Sequence, residues 1–97
     1  MTQWTITKDF IADPDAKEGT NLNAKGVVGP KIATLTHEQI KNHQERIKFR
    51  MKDCDGEVYY EGFLVGEDLL APLDDFGTPN AGATDIETFV NGTWTPV

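Results

Sequence analysis

The sequence contains no serine, which removes serine nucleophiles from consideration. Its single cysteine, Cys54, excludes an intramolecular disulfide. No apolar run approaches the roughly 18–20 residues needed to span a bilayer. The first residues, Met1 to Lys8, lack the basic and apolar regions of a signal peptide. Together these absences lead to the expectation of a reducing, cytoplasmic location with no membrane partner. Beyond Lys52 the chain has neither Lys nor Arg.

What remains is ordinary for a globular protein: 97 residues, 38% hydrophobic and 26% charged. That length suits one domain, residues 1–97, and is too short for two. The net charge of −7 argues against a general affinity for nucleic acids or acidic membranes. The distribution says more than the total. Residues 25–52 carry Lys25, Lys31, Lys41, Arg46, Lys48, Arg50 and Lys52 against Glu38 and Glu45, a net of +5. Residues 53–97 carry Asp53, Asp55, Glu57, Glu61, Glu67, Asp68, Asp74, Asp75, Asp85 and Glu87, a net of −10.

The hydrophobic pattern is mainly that of strands. Trp4 to Thr7 alternates as a half-buried strand that could extend into Phe10-Ile11-Ala12. Residues 13–30 are rich in Gly, Pro, Asn and Asp and read as a long loop, pinned at most by a short strand at Val27-Val28. Ile32 to Leu35 is a further short strand candidate. Thr36 and Gln39 have the spacing of a capping box, with Leu35 and Ile40 at the staple positions, so a short helix is expected over His37 to His43.

Arg46 to Lys52 alternates strictly, with Ile47, Phe49 and Met51 on one face. Asp55-Gly56 supplies a turn, and Glu57 to Val65 returns as the partner strand. A two-residue turn would place Lys52 opposite Tyr59, Arg50 opposite Glu61 and Lys48 opposite Phe63; a four-residue turn shifts these partners but keeps the faces, with Val58, Tyr60 and Leu64 on the core side. Ile86–Val90 and Thr93–Val97 form a second hairpin about Asn91-Gly92, which sets Phe89 opposite Trp94. Between the hairpins, Gly66 to Thr84 holds two prolines and three glycines, a composition that argues against a continuous helix. The expected fold is therefore α+β and β-rich: an antiparallel twisted sheet or small half-open barrel of about 5–6 strands with one short helix.

Several constellations invite chemical readings. Asp53-Cys54-Asp55-Gly56-Glu57 has alternating carboxylates but lacks the ligand spacing of a calcium loop. His37 and His43 stand six apart, on opposite sides of a helix, and with Cys54 they are too few for a structural zinc site. Cys54 between Asp53 and Asp55 is poorly placed to become a thiolate. Gly26-Val27-Val28-Gly29 is followed by Pro30 rather than the Lys-Ser/Thr of a phosphate loop. No metal or cofactor is expected.

The carboxylates Glu67, Asp68, Asp74 and Asp75, with Phe76 beside them, form the best candidate partner-binding group. In one alternative Phe76 and Leu73 tuck inward and cap the sheet. In the other Phe76 faces solvent as a docking anchor.

The stretches Trp4 to Asp9, Gly26 to Pro30, Asp55 to Gly62, Pro72 to Gly77 and Ala81-Gly82 resemble a group of short, uncharacterised prokaryotic proteins. That resemblance covers most of the chain and implies no activity, ligand or catalytic residue. The leading functional expectation is a non-enzymatic protein–protein interaction or regulatory module, bound to a basic protein surface or to a second copy of itself. One alternative is a small enzyme or ligand-binding barrel using Asp74, Asp75, Tyr59 or Tyr60, and His37. A further one is an acidic mimic of nucleic acid that inhibits a nucleic-acid-handling protein.

Overall fold

Six antiparallel strands form one open sheet in the order β2-β1-β4-β3-β5-β6 in the computed structural model, which describes residues 1–97. The strands are β1 (Gln3–Asp9), β2 (Val28–Gly29), β3 (Ile47–Lys52), β4 (Val58–Val65), β5 (Asp85–Val90) and β6 (Thr93–Pro96). Helix α1 (His37–Lys41) lies before β3, and a second helical segment (Leu73–Ala81) joins β4 to β5. The α+β, β-rich reading holds, with the sheet open at β2 and β6.

The alternation in β3, and in β4 from Tyr60 onward, sorts side chains as anticipated, while Val58, expected on the core side, pairs with Lys52. Phe49, Met51, Tyr60 and Leu64 are buried on one face, together with Trp4, Ile6 and Ile86. The opposite face carries Lys48, Arg50 and Lys52. The hairpin registers Arg50 with Glu61 and Lys48 with Phe63, but Lys52 faces Val58 rather than Tyr59. A wider turn explains the difference. The Asp53 N–H donates to the Glu57 carbonyl, and Gly56 takes φ +85°, so Cys54-Asp55-Gly56 forms the loop. A bulge at Tyr59 then restores the register. The second hairpin turns at Asn91 and Gly92, both with positive φ, and pairs Phe89 with Trp94.

Helix α1 starts on the anticipated box: the Gln39 N–H donates to Thr36 Oγ1, and the Thr36 N–H donates to Gln39 Oε1. It ends at Lys41, earlier than His43. Its buried Ile40 packs on the face opposite the main core, where His37 Nδ1 lies 2.6 Å from Thr5 Oγ1. The strand expected at Ile32 to Leu35 does not form. Gln3 Oε1 accepts from the N–H groups of Thr34 and Leu35, each at 2.8 Å, taking two donors that a ladder would need. The Phe10 N–H makes a last bond to the Tyr59 carbonyl, and the chain then bends where Asp9 Oδ1 accepts from Ile11 N.

The Gly66 to Thr84 region departs most from expectation, because Leu73–Gly77 forms a π-helical turn that runs directly into Thr78–Ala81 as α-helix. Neither proline obstructs it. Pro72 occupies the N-cap, which requires no N–H, and Pro79 falls just past the junction where the π turn gives way to α-helix. Gly82 ends the helix at φ +70°. Gly77 sits where a Cβ would lie 2.5 Å from Met51 Sδ, which lets the helix settle onto the sheet.

The charged face holds one partly buried ion pair. Arg50 Nε donates to Glu87 Oε1 at 2.6 Å, and Lys52 Nζ lies 3.2 Å from Glu87 Oε2. Burial alone would raise the Glu87 carboxyl, but the bonds from Arg50 and then Lys52 outweigh it and hold the group below its ordinary value. A lowered folded pKa stabilises above the unfolded value, near 4.3, and that contribution fades as pH falls through the folded value. Glu87→Gln should therefore cost roughly 1–2 kcal/mol in urea unfolding at neutral pH. The penalty should nearly vanish near pH 3; an equal loss at both pH values would refute the ionic origin.

Candidate functional site

The sequence-stretch singled out above divides in two in the fold. Glu67 and Asp68 lie in a turn tied to the start of the chain, where the Asp68 N–H donates to Thr2 Oγ1 at 2.8 Å. Asp68 Oδ1 accepts from the Leu70 N–H, so this carboxylate shapes its own turn. Asp74 and Asp75 lie in the first turn of the Leu73–Ala81 segment. Phe76 follows them and points inward, half-buried. Its ring centroid is 5.4 Å from that of Trp4 and 5.3 Å from that of Tyr60. Phe76 is thus the cap of the sheet's core face, and Leu73 is buried beside it.

The capping leaves a groove between this helix and the loop of residues 10–30. One end, about 470 Å³, is lined by Trp4, Gly29, Pro30, Asp75, Phe76 and Pro79 among others. A middle part of about 410 Å³ lies against Val27, Tyr60, Phe76 and Asn80. The far end, about 570 Å³, is bounded by Asp9, Ile11, Asp13, Leu22, Tyr60 and Asn80. Shared walls at Phe76, Tyr60 and Asn80 make these one continuous surface depression with an aromatic floor.

Local chemistry fixes that floor. The Trp4 indole N–H donates to Asp75 Oδ2 at 2.9 Å. The opposite side of the indole lies against Gly29, where a Cβ would come within 2.1 Å of Trp4 Cζ2. Only glycine lets β2 approach the ring so closely. Tyr60 is buried, and burial first, then the negative charge of Asp9, raises its phenol above the ordinary value. It therefore stays protonated, and remains a donor, throughout the neutral range.

The rim is acidic. Asp9 Oδ2 accepts from the Ala24 N–H, Asp13 Oδ1 from the Asp15 N–H, and Asp75 Oδ2 from Trp4. Each carboxylate is held in place by these bonds and keeps lone pairs for an incoming donor. Lys31 is the one cation in the lining. Exposed apolar side chains, Ile11 and Leu22, extend the far end.

Of the residues weighed for a small enzyme, Asp75 and Tyr60 both line the groove, but the others lie elsewhere. His37 contacts Thr5 on the sheet face opposite Trp4 and Asp75. Tyr59 lies at the bulge beside the Asp53 turn, while Tyr60 faces the groove. Cys54 is exposed in that turn. No group of three or more His, Cys, Asp or Glu residues is placed to hold a metal ion, and no helix is long and apolar enough to cross a membrane. The groove was hidden in the sequence because Trp4, Tyr60 and Phe76 belong to three distant segments. The one local hint was Phe76 following two acidic residues.

No family model, curated protein or solved structure matches the chain.

Proposed function

We propose that this chain is a non-enzymatic interaction module that receives a basic, apolar-bearing segment of a partner protein in the groove beside the Leu73–Ala81 helix. The observation that carries this reading is the Trp4–Phe76–Tyr60 floor under a rim made by Asp9, Asp13 and Asp75. The half-buried Phe76 and the exposed Ile11 and Leu22 offer apolar contact above the buried Trp4 and Tyr60, and fixed carboxylates steer and orient cations. An extended segment carrying Lys or Arg beside apolar side chains satisfies both demands. A second copy of the chain is the variant favoured by the opposite charge of residues 25–52 and 53–97.

Affinity capture from the native host at low and high salt tests the reading. A basic partner should be recovered at low salt and released at high salt. Asp75→Asn should weaken its binding roughly 3- to 10-fold, as expected for losing one charge-assisted contact. A partner retained equally by the wild type and by an Asp75→Asn, Asn80→Ala double variant would place the interface elsewhere. Salt-sensitive, concentration-dependent dimerisation would instead identify the second copy as partner.

A further inference from the structure

The face of the sheet opposite the groove has a different composition. Register places Phe63 opposite Lys48, and Phe89 opposite Trp94. Phe49 pairs with Thr88, which sets Lys48 beside Phe89. One row therefore crosses four strands as Phe63, Lys48, Phe89, Trp94. The next row along the strands reads Lys8, Glu61, Arg50, Glu87, an alternation of charge that largely satisfies itself. Lys48 also lies 4.0 Å from Glu61.

The aromatic row is accessible and cationic. Phe89 is 43% exposed, and Trp94 is half-buried. The Lys48 ammonium lies 5.8 Å from the Trp94 ring centroid and 6.0 Å from that of Phe89. Arg50 covers one side of Trp94 at 4.3 Å, and Arg46 lies 5.5 Å from Phe63. At the end of this row is an open pocket of about 570 Å³, whose lining includes Gln44, Arg46, Lys48, Phe63, Phe89 and Asn91. Its lining contains two cations and two side-chain amides but no carboxylate, in a chain that has 16 acidic residues.

We propose that this face binds a short single-stranded nucleic acid, with bases stacked on Phe63, Phe89 and Trp94 and phosphates beside Arg46 and Lys48. Beyond the part of this face covered by α1, Phe89 and Trp94 meet edge to face, 5.2 Å apart at 65°, and exposed ring faces in a row suit planar bases, whose stacking tolerates any sequence. The amides of Gln44 and Asn91 can meet base edges. An acidic peptide would satisfy the two cations but leave the rings without planar partners. The net charge of −7 works against a long polyanion, yet its reach is limited. The groove carboxylates lie on the far side of the sheet, and on this face Glu61 and Glu87 are paired with Lys8, Lys48, Arg50 and Lys52. A few nucleotides fit this balance; a duplex, with buried bases, does not.

The test is fluorescence anisotropy of the full chain with a labelled oligothymidylate of about ten nucleotides, within the usual range of a single-strand site. Thymidine monophosphate, a duplex of equal length and polyglutamate serve as competitors. Saturable binding with quenching of tryptophan fluorescence is expected, and the oligomer should outcompete all three. Trp94→Ala and Phe89→Ala should each weaken binding about tenfold, the loss of one stacked base. Both side chains are surface residues, so the variants should keep their fold. Lys48→Met should reduce the slope of log affinity against log salt by about 0.7. Polyglutamate displacing the oligomer at equal charge would overturn the proposal in favour of an acidic peptide. Equal affinity for the monophosphate would reduce it to a nucleotide pocket. Binding that survives Trp94→Ala and Phe89→Ala unchanged would remove it from this face altogether.

Discussion

Gly62→Ala is expected to lower the thermal midpoint by roughly 12–24 °C, the shift that about 3 kcal/mol produces in a domain of this size. A methyl group at Gly62 would stand 2.0 Å from the Thr5 carbonyl oxygen and 2.8 Å from Cζ of Phe49. The first obstacle is backbone in the neighbouring strand, so it cannot rotate aside. Phe49 is fully buried at the centre of the core and has no empty space to move into. Relief would require β1 to separate from β4, breaking the ladder on both sides of Ile6. Chemical and thermal unfolding measure the effect directly. A change of less than about 3 °C would mean that the sheet yields far more easily than close packing implies.

Trp4→Ala should cost about 3–5 kcal/mol, the range for deleting a large buried aromatic. Trp4 is 3% exposed and is wedged between Gly29 on β2 and Phe76 on the helix. Its removal leaves a cavity between three elements and strands Asp75 without its indole partner. Against a typical total stability of about 5–15 kcal/mol, this loss is a large fraction. Trp4→Phe separates the two contributions. It keeps most of the apolar volume and loses the bond to Asp75, so a cost of roughly 1–2 kcal/mol is expected. Equal costs for the two substitutions would show that the hydrogen bond, and not the packing, holds the helix to the sheet. Because Trp4 also floors the groove, partner binding should fall with Trp4→Ala even under conditions where the variant remains folded.

Part of the candidate surfaces was legible before any coordinates. Phe89 and Trp94 were paired by Asn91-Gly92 alone, because a type I′ turn fixes which residues oppose each other. Lys48 and Phe63 pair across the first hairpin as well, but there a wider turn is offset by the bulge at Tyr59. What could not be read was how the two hairpins join. The sequence has no local sign that β5 pairs with β3 rather than with β4, so the row from Phe63 to Trp94 was invisible as a unit. Net charge, likewise, carries no information about single faces. It is a sum over the chain, whereas an approaching ligand meets one face within a Debye length.

The residues around Leu73–Ala81 show the other limit. Pro and Gly counts argued against a helix, but composition ignores position. Pro72 falls where a helix needs no donor, Pro79 at the change from π turn to α-helix, and Gly77 where Met51 allows no side chain.

By itself the sequence determined the features that depend on neighbours along the chain. These are the strict alternation of β3, both hairpin turns, the Thr36–Gln39 capping box and the change of charge at Lys52 and Asp53. Each rests on interactions within a few residues, where chain geometry leaves few alternatives. Only the tertiary structure decided that Trp4 would meet Asp75, 71 residues away, or that Phe76 would turn inward between Trp4 and Tyr60. Those contacts follow from burying the apolar face of one sheet under one helix, a cooperative outcome that no single segment encodes. The same packing separated an acidic groove from a cationic, aromatic face.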